Sequence, residues 1–422
     1  MSPATSTAVL PSELAPLRER FSPLFERIAA GTVERERERR LPAAEIAELD
    51  EAGFGTLRVP REHGGPGVSI ETFTHLLVDL ARADSNIAHQ YRSHFGFLES
   101  LRFQPAQVQD LWYPRILAGA TVGNASTERG GNRLGTLNTQ LASTSDGTTV
   151  SGTKYYTTGT IFADYTRVSA ALEGQDGRCF AVVPTDAPGV TIEDDWDGFG
   201  QKLTGTGTTV LESVAVEPGG VLEREPGGYE ATHEAAFFQH VLLVVLAGIA
   251  RAARDDAAFL VASRSRTFNT GSGLPFREDP LIQEAVGRLA AKAFSAEAVV
   301  LQCARALDEG LVASEDPADG ADGPRGVDRA EIALEQAQIS VPELALGAAQ
   351  DLFLTVGASA TSTSKALDRH WRNAQTVATH NPIAFRARSV GDHFINGTVP
   401  EGLNAIGEAT SATAGTPSKE RS

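Results

Sequence analysis

The sequence predicts an α+β protein in which a helical region, a β-rich region and a second helical region follow one another. Three observations predict it. Apolar residues recur at helical spacing before residue 121. Threonine, glycine and valine then dominate as far as about Val221, with a hairpin signal among them. After Tyr229 the helical spacing returns in three long stretches. A chain of 422 residues is long enough for two or three domains. The boundaries drawn are 10–120 for the N-terminal α-helical domain, 121–225 for the middle β domain and 226–404 for the C-terminal helices. Residues 405–422, rich in Ser, Thr and Ala, read as a disordered tail.

In the first region, Pro42 stands where a first helical turn tolerates proline. Ile46, Leu49 and Phe54 follow, and Gly53 and Gly55 can end the helix. Gly64-Gly65-Pro66-Gly67 makes a turn. Ser69 can then cap a helix whose apolar stripe is Ile70, Phe73, Leu77 and Leu80. The alternating charges from Glu34 to Arg40 read as a solvated helix face. In the middle region, Thr136 to Thr144 and Thr148 to Thr158 flank Ser145-Asp146-Gly147 as a hairpin. Val168 to Leu172, Phe180 to Val183 and Thr208 to Val216 read as further strands. In the last region, His233 to Arg266, Ile282 to Leu307 and Ala330 to Val356 read as long helices. The first is apolar all round from Val241 to Ala250 and therefore buried. Glu315 to Asp328 reads as an exposed connector.

Composition excludes several classes of function. Lys+Arg 37 against Asp+Glu 54 gives a net charge of −17. A nucleic-acid binder needs a basic face to displace phosphate counterions, and an anionic membrane surface selects for the same. Two cysteines, Cys179 and Cys303, build neither a disulfide framework nor a multi-cysteine zinc site, and they read as reduced thiols. The longest uninterrupted apolar run, Val241 to Ala250, is half of the roughly 20 residues a membrane span needs. Met1 to Val9 lacks the basic start and apolar stretch of a signal peptide, so a cytoplasmic protein is expected. His233-Glu234 lacks a histidine at the helical spacing of a zinc protease, and no metal site is expected. No nucleophile elbow or P-loop is present, and Gly205-Thr206-Gly207 lacks the third glycine of a dinucleotide fingerprint.

Three stretches say more. They are Val59-Pro60-Arg61-Glu62-His63-Gly64-Gly65-Pro66-Gly67; Gly123-Asn124-Ala125-Ser126-Thr127-Glu128 continuing through Val150 to Gly159 and Ala163-Asp164; and Asp368-Arg369-His370-Trp371-Arg372-Asn373-Ala374. Their order and spacing resemble the acyl-CoA dehydrogenase superfamily over residues 15 to 400. The resemblance implies an N-terminal helical domain, a middle β-barrel or sandwich domain and a C-terminal four-helix bundle. Within that superfamily the chain is most similar to the flavin-dependent monooxygenase branch. The carriers are His94 in Tyr91-Arg92-Ser93-His94, the Asn124 stretch, Arg264-Ser265-Arg266-Thr267-Phe268, and Arg369 through Thr376 followed by Thr379-His380-Asn381-Pro382. Such enzymes take reduced FMN from a separate flavin reductase. They insert one oxygen atom of O₂ into a small substrate, aromatic or containing sulfur or nitrogen, through a flavin hydroperoxide.

Two departures weigh against a dehydrogenase. That chemistry needs a carboxylate to remove the proton beside a thioester carbonyl. The position where the resemblance expects the glutamate holds Asn381, and the other known position, on the long helix, falls in Phe237 to Arg251, which contains no Asp or Glu. The glycine-rich segment that approaches the adenine half of FAD is reduced to Gly357-Ala358-Ser359, which favours FMN and keeps FAD as the alternative. An FAD-dependent acyl-CoA dehydrogenase or oxidase, or a silent flavin-binding scaffold, are the competing readings.

The resemblance also implies roles for particular residues. His94 and His380 face the reacting edge of the flavin and handle the peroxide proton, since imidazole titrates near neutrality. Asn124 and Thr158 hydrogen-bond the ring and complete the catalytic set. Trp196 and Phe268 wall the pocket, and Tyr91 contacts the substrate. Arg266 and Arg369 are the phosphate partners, because guanidinium binds phosphate oxygens through paired hydrogen bonds. Such an arginine often reaches a neighbouring subunit's flavin, which implies a homotetramer. His240 and His370 read as helix-packing residues.

Overall fold

The fold is that of a computed structural model, which describes residues 11–130, 136–145, 147–172, 178–265, 267 and 271–400. The expected tail, 405–422, lies outside them. Five helices come first: α1 (Leu14–Glu38), α2 (Ala43–Glu51), α3 (Ile70–Ala83), α4 (Ser85–Leu101) and α5 (Ala106–Leu117). Ser69 caps α3 as its sequence suggests, its hydroxyl accepting from the Thr72 N–H. Helix α4 is buried at every position but Arg92.

The charged run on α1 corrects an expectation. Arg35 and Glu36 are buried. Arg35 donates to the Asp84 carboxylate at 2.8 Å and to Glu45 at 3.0 Å, and Glu36 accepts from Arg372 at 2.7 Å. One face of this segment turns inward, so its charges must be paired rather than solvated.

Among the described residues the middle region holds eight strands: β1 (Val122–Ala125), β2 (Gln140–Thr144), β3 (Gly147–Lys154), β4 (Tyr165–Leu172), β5 (Cys179–Pro184), β6 (Val190–Glu193), β7 (Thr208–Val216) and β8 (Val221–Glu223). Their order is β6-β7-β3-β2-β4-β5-β8, with β1 alongside β4 in parallel. β2 and β3 form the expected hairpin, in register from Gln140↔Ser151 to Thr144↔Gly147. β3 ends at Lys154 rather than Thr158, because Tyr156 turns the chain through the left-handed region at φ 59°. The short strands β1, β6 and β8 carry no alternation long enough to be read. This region has its own small apolar core around Leu141, Val150, Val168 and Val214.

The last region contains α6 (Tyr229–Ser263), α7 (Pro280–Ala313), α8 (Gly326–Val356), α9 (Asp368–Ala378) and α10 (Ile383–Asn396). Asp279 caps α7 ahead of Pro280, the residue best suited to a first helical position. α6 is central: every residue from Val241 to Ala250 is buried, and Gly248 lets it press against Ala81 of α3. By length and composition, α6 and the stretch Gly326–Thr361 could each cross a membrane. The most apolar window of α6 is 78% buried within the protein, as befits a core helix. α6, α7 and α8 pack together, with α9 and α10 completing the bundle.

Candidate functional site

Helix α4 decides which side chains meet. At about 100° per residue, Ser85, Asn86, His89, Arg92, Ser93, Gly96, Glu99 and Ser100 fall on one arc. Ile87, Tyr91, His94, Phe95 and Leu98 fall on the opposite arc. His89 and His94 therefore point about 140° apart. The polar arc faces the middle domain and α6. Ser93 donates to the Thr158 carbonyl at 2.9 Å, the Leu203 N–H donates to Asn86 at 3.2 Å, and Arg92 donates to the Phe238 carbonyl at 2.9 Å. Gly96 leaves room for the Phe238 ring.

His89 sits at the centre of this arc and is buried, with Nδ1 3.0 Å from Gln201 Oε1. Burial, then the Arg92 charge, pushes its pKa down to about 4, so the ring is neutral. Arg92 and His89 also bear on His380, adding to the effect of the protein mass around it, and all three hold His380 below the ordinary histidine range. His380 has accessible surface, and that surface lines a cavity. The cavity has apolar walls from Leu242, Leu243, Leu246, Pro342, Val377 and Ile383. Its polar lining is Gln239, Gln338, Asn381 and Arg386. The Asn381 amide donates to Gln239 and Gln338, and Arg386 pairs with Glu335 of α8 at 2.5 Å. No carboxylate lines this cavity among the described residues. Asn381 is the residue that the resemblance puts at the dehydrogenase's base, and α6 beside it offers Gln239.

The middle domain carries three more of the residues picked out from the sequence. Asn124, at the end of β1, is half-buried and accepts from the Ser126 hydroxyl at 3.0 Å. Thr158 belongs to a chain of hydroxyls: Thr158 to Thr206 at 2.8 Å, Thr206 to Thr204 at 2.7 Å, and Thr204 to the Gln201 carbonyl at 3.0 Å. The carbonyl end fixes the direction. Thr204 donates to it, Thr206 donates to Thr204, and Thr158 donates to Thr206, which leaves Thr158 an acceptor lone pair. Trp196 is half-buried, donates to the Gly200 carbonyl at 2.9 Å and meets Tyr156 edge to face.

Three sequence-based assignments change. His94 lies in the apolar arc, away from His380. Its Nε2 donates to the Gly55 carbonyl at 2.7 Å and its Nδ1 accepts from the Val122 N–H at 3.2 Å. Both nitrogens are engaged by backbone, and His94 ties α4 to its neighbours. Tyr91 is on the same arc, among Phe54 and Phe95. Its hydroxyl donates to Asp50 at 2.7 Å, so it packs the N-terminal core rather than a substrate pocket. Arg369 is buried and donates to Asp256 at 2.7 Å and to the Ala366 carbonyl at 3.1 Å. His370 shares the same Asp256 oxygen at 2.8 Å. This cluster anchors α9 on α6, which occupies the guanidinium internally. Arg266 and Phe268 lie outside the described residues. His240 packs between helices, bonded to Thr74 at 2.7 Å. The residues missed from sequence are His89, Arg92, Gln201, Gln239 and Arg386. The signal for the first two was the polar arc of α4: such a stripe on a buried helix must be satisfied by partners or put to use.

Comparison with known proteins agrees with this architecture. The chain matches the acyl-CoA dehydrogenase N-terminal domain over residues 16–120, the middle domain over 124–214 and the C-terminal domain over 241–385. It is 27% identical over 396 residues to a dibenzothiophene monooxygenase of Rhodococcus qingshengii, covering 89% of this chain and 92% of that one. It is 27% identical over 390 residues to the probable FMNH2-dependent monooxygenase SfnC of Pseudomonas putida, covering 89% and 94%. The FMN-bound crystal structure of TdsC from Paenibacillus sp. A11-2 superposes with a TM-score of 0.83 at 26% identity, covering 91% of this chain and 98% of that one. The three matched domains, in this order and over this fold, make the chain a member of the acyl-CoA dehydrogenase superfamily, within its flavin-dependent monooxygenase branch.

Proposed function

We propose that the protein is a two-component monooxygenase that uses reduced FMN and O₂ to oxygenate a small apolar substrate. A separate reductase supplies the flavin. One observation carries the reading. Two imidazoles held neutral, His89 and His380, influence each other electrostatically, and His380 lines an apolar cavity whose polar groups are amides and a paired arginine. Proton handling is provided for, and the carboxylate base of a dehydrogenase is not.

Two unpartnered donors support a flavin held near Gly159 and the cavity. Gln90 Nε2 and Gln239 Nε2 are buried donors without a hydrogen-bond partner, one beside Gly159 and one lining the cavity. Buried polar atoms of this kind ask for a ligand or water. Asn124 and Thr158 would hold the polar edge of the ring, Thr158 as an acceptor, and Trp196 would wall it. Reduced FMN, when bound, supplies two electrons, so that one oxygen atom of O₂ enters the substrate and the other leaves as water.

The chain's own residues do the rest. His89 and His380 accept or return a proton at the ring nitrogens, and burial, with the Arg92 charge adding to it, keeps both neutral near pH 7. Leu242, Leu243, Leu246 and Pro342 keep bulk water away, which prevents loss of the activated oxygen as hydrogen peroxide. Arg266 is assigned to the phosphate from its place in the resemblance. Arg266→Ala should weaken binding of reduced FMN by about 1.5–3 kcal/mol, the worth of a charged hydrogen bond, and an unchanged Kd would exclude the role. The SfnC and TdsC names support FMN over FAD.

We also place the protein in the cytoplasm as a homotetramer. Two buried free thiols support the first. The second is supported by exposed apolar side chains on the bundle, among them Phe259, Phe294, Leu354, Phe385 and Phe394. The apolar cavity walls support a small apolar substrate, and TdsC has been solved with FMN and indole.

Rapid mixing tests the reading. Protein loaded anaerobically with reduced FMN is mixed with oxygenated buffer and followed by absorbance. A long-lived species distinct from both reduced and oxidised flavin supports oxygen activation. Oxidation at the free-flavin rate, from a protein that carries FAD and is reduced by an acyl-CoA, overturns it.

A further inference from the structure

We propose that Gln201 is a positioning residue that fixes His89 as the Nδ1–H tautomer and leaves its Nε2 as a hydrogen-bond acceptor. The inference rests on the reading that His89 faces the reaction.

Gln201 lies between β6 and β7. It is buried and holds φ at 51°, a left-handed conformation that a non-glycine residue adopts only when its surroundings impose it. Gly200 is the preceding residue and would take that conformation without strain. The sequence places the long amide at the strained position instead, and every polar group it carries is engaged. Its N–H donates to Asn373 Oδ1 at 2.6 Å. Its carbonyl accepts from Thr204 at 3.0 Å. Its side-chain Nε2 donates to Ser85 Oγ at 3.1 Å, and its Oε1 faces His89 Nδ1 at 3.0 Å. Ser85 and His89 stand one helical turn apart on α4, so one amide spans both.

The chemistry follows from donor and acceptor types. A carboxamide oxygen only accepts, so the His89 nitrogen facing it must carry the proton. In a neutral ring the other nitrogen is then an acceptor. Among the described residues the hydrogen bond of the His89 ring to Gln201 runs through Nδ1 and leaves Nε2 out of it. Nε2 is therefore the nitrogen open to take a proton. The Ser85 hydroxyl can donate as well as accept, so the opposite orientation of the amide would turn its NH₂ toward His89 and reverse the tautomer.

The test uses the full-length protein labelled with ¹⁵N-histidine and free of flavin. Nitrogen NMR reports which ring nitrogen carries the proton, and His89→Asn identifies the signal. Wild type should show a protonated Nδ1 and a bare Nε2. Gln201→Gly relieves the strained backbone and removes the amide. It should give a mixture of tautomers and lower kcat at least tenfold with the affinity for reduced FMN unchanged. Gln201→Glu keeps an acceptor toward Nδ1. It should preserve the tautomer, raise the His89 pKa by a unit or more and recover activity over the glycine variant. A wild-type Nε2–H tautomer, or an unaltered tautomer in Gln201→Gly, overturns the inference. A tautomer that shifts while kcat holds supports positioning by Gln201 and instead sinks the role of His89 in the reaction.

Discussion

His94→Leu separates a structural histidine from a reacting one. The substitution keeps an apolar side chain of similar bulk in a fully enclosed site and removes both ring nitrogens. The Gly55 carbonyl and the Val122 N–H then lose their partner. A buried polar group left unpaired costs about 1–3 kcal/mol, and better apolar packing returns part of that, so the net loss should be about 3 kcal/mol at pH 7.5. The pH dependence sharpens the test. Burial depresses the His94 pKa from 6.5 to about 4. The unfolded chain therefore binds this proton first as pH falls, and wild type loses that share of its stability between pH 6.5 and 4. At pH 4.5, two units below the unfolded value, the loss is about 2–3 kcal/mol. Leucine has no proton to bind. The gap between wild type and variant should then shrink from about 3 kcal/mol to under about 1 kcal/mol. Urea unfolding at both pH values measures the gap, and single-turnover oxidation of substrate measures function. The reasoning fails if His94→Leu unfolds like wild type at pH 7.5 yet abolishes turnover with flavin still bound.

Asp256→Asn should lower stability by about 1–2 kcal/mol, a modest figure because Asp256 is about a third exposed and solvent screens it. It should leave FMN affinity unchanged, as titration with reduced FMN would show; a tightened Kd would return Arg369 to the phosphate. Glu331, raised to about 8 by burial and then by Glu335, opposes folding as pH rises above its unfolded value. Glu331→Gln should nearly match wild type in thermal melts at pH 4.5 and exceed it at pH 8 by on the order of 4 kcal/mol, and equal melting at both would show that Glu331 ionises freely. Asn381→Asp replaces the donor to Gln239 and Gln338 with a second acceptor. It should cost about 1–2 kcal/mol by urea unfolding without conferring reduction of a dye by acyl-CoA thioesters; dye reduction would mean the cavity is a dehydrogenase site lacking only its base.

The order of helices, strands and helices was legible because periodicity survives burial. Ser69 could be placed to the residue and the β2–β3 hairpin by its turn, since capping and turn chemistry are local. The charged run on α1 was not legible. Alternating charges look the same whether they meet water or meet Asp84 and Arg372, and those partners lie 49 and 336 residues away in sequence. Tyr91 and Arg369 failed for the same reason. A side chain's type sets what it can bond, while the partner that claims it, Asp50 or Asp256, is chosen by the packing of distant helices.

The two histidines of α4 show where sequence holds more than motif matching takes from it. His89 and His94 are the same residue type, five positions apart, and a motif centred on either looks equally good. Their neighbours on the helix differ. One turn from His89 stand Ser85, Asn86, Arg92 and Ser93; one turn from His94 stand Tyr91, Leu98 and Phe97 with Gln90. A polar stripe along a helix buried on all sides is expensive to desolvate unless each group finds a partner. Here the partners are Gln201 and the Thr158 carbonyl of the middle domain and the Phe238 carbonyl of α6. The stripe thus marks the seam where three parts of the fold meet, and a ligand held between them must touch it. The single imidazole in the apolar arc needs only two backbone partners to be satisfied, and it has both. The rotation of the helix, not the identity of the residue, separates the histidine that can react from the one that holds the fold.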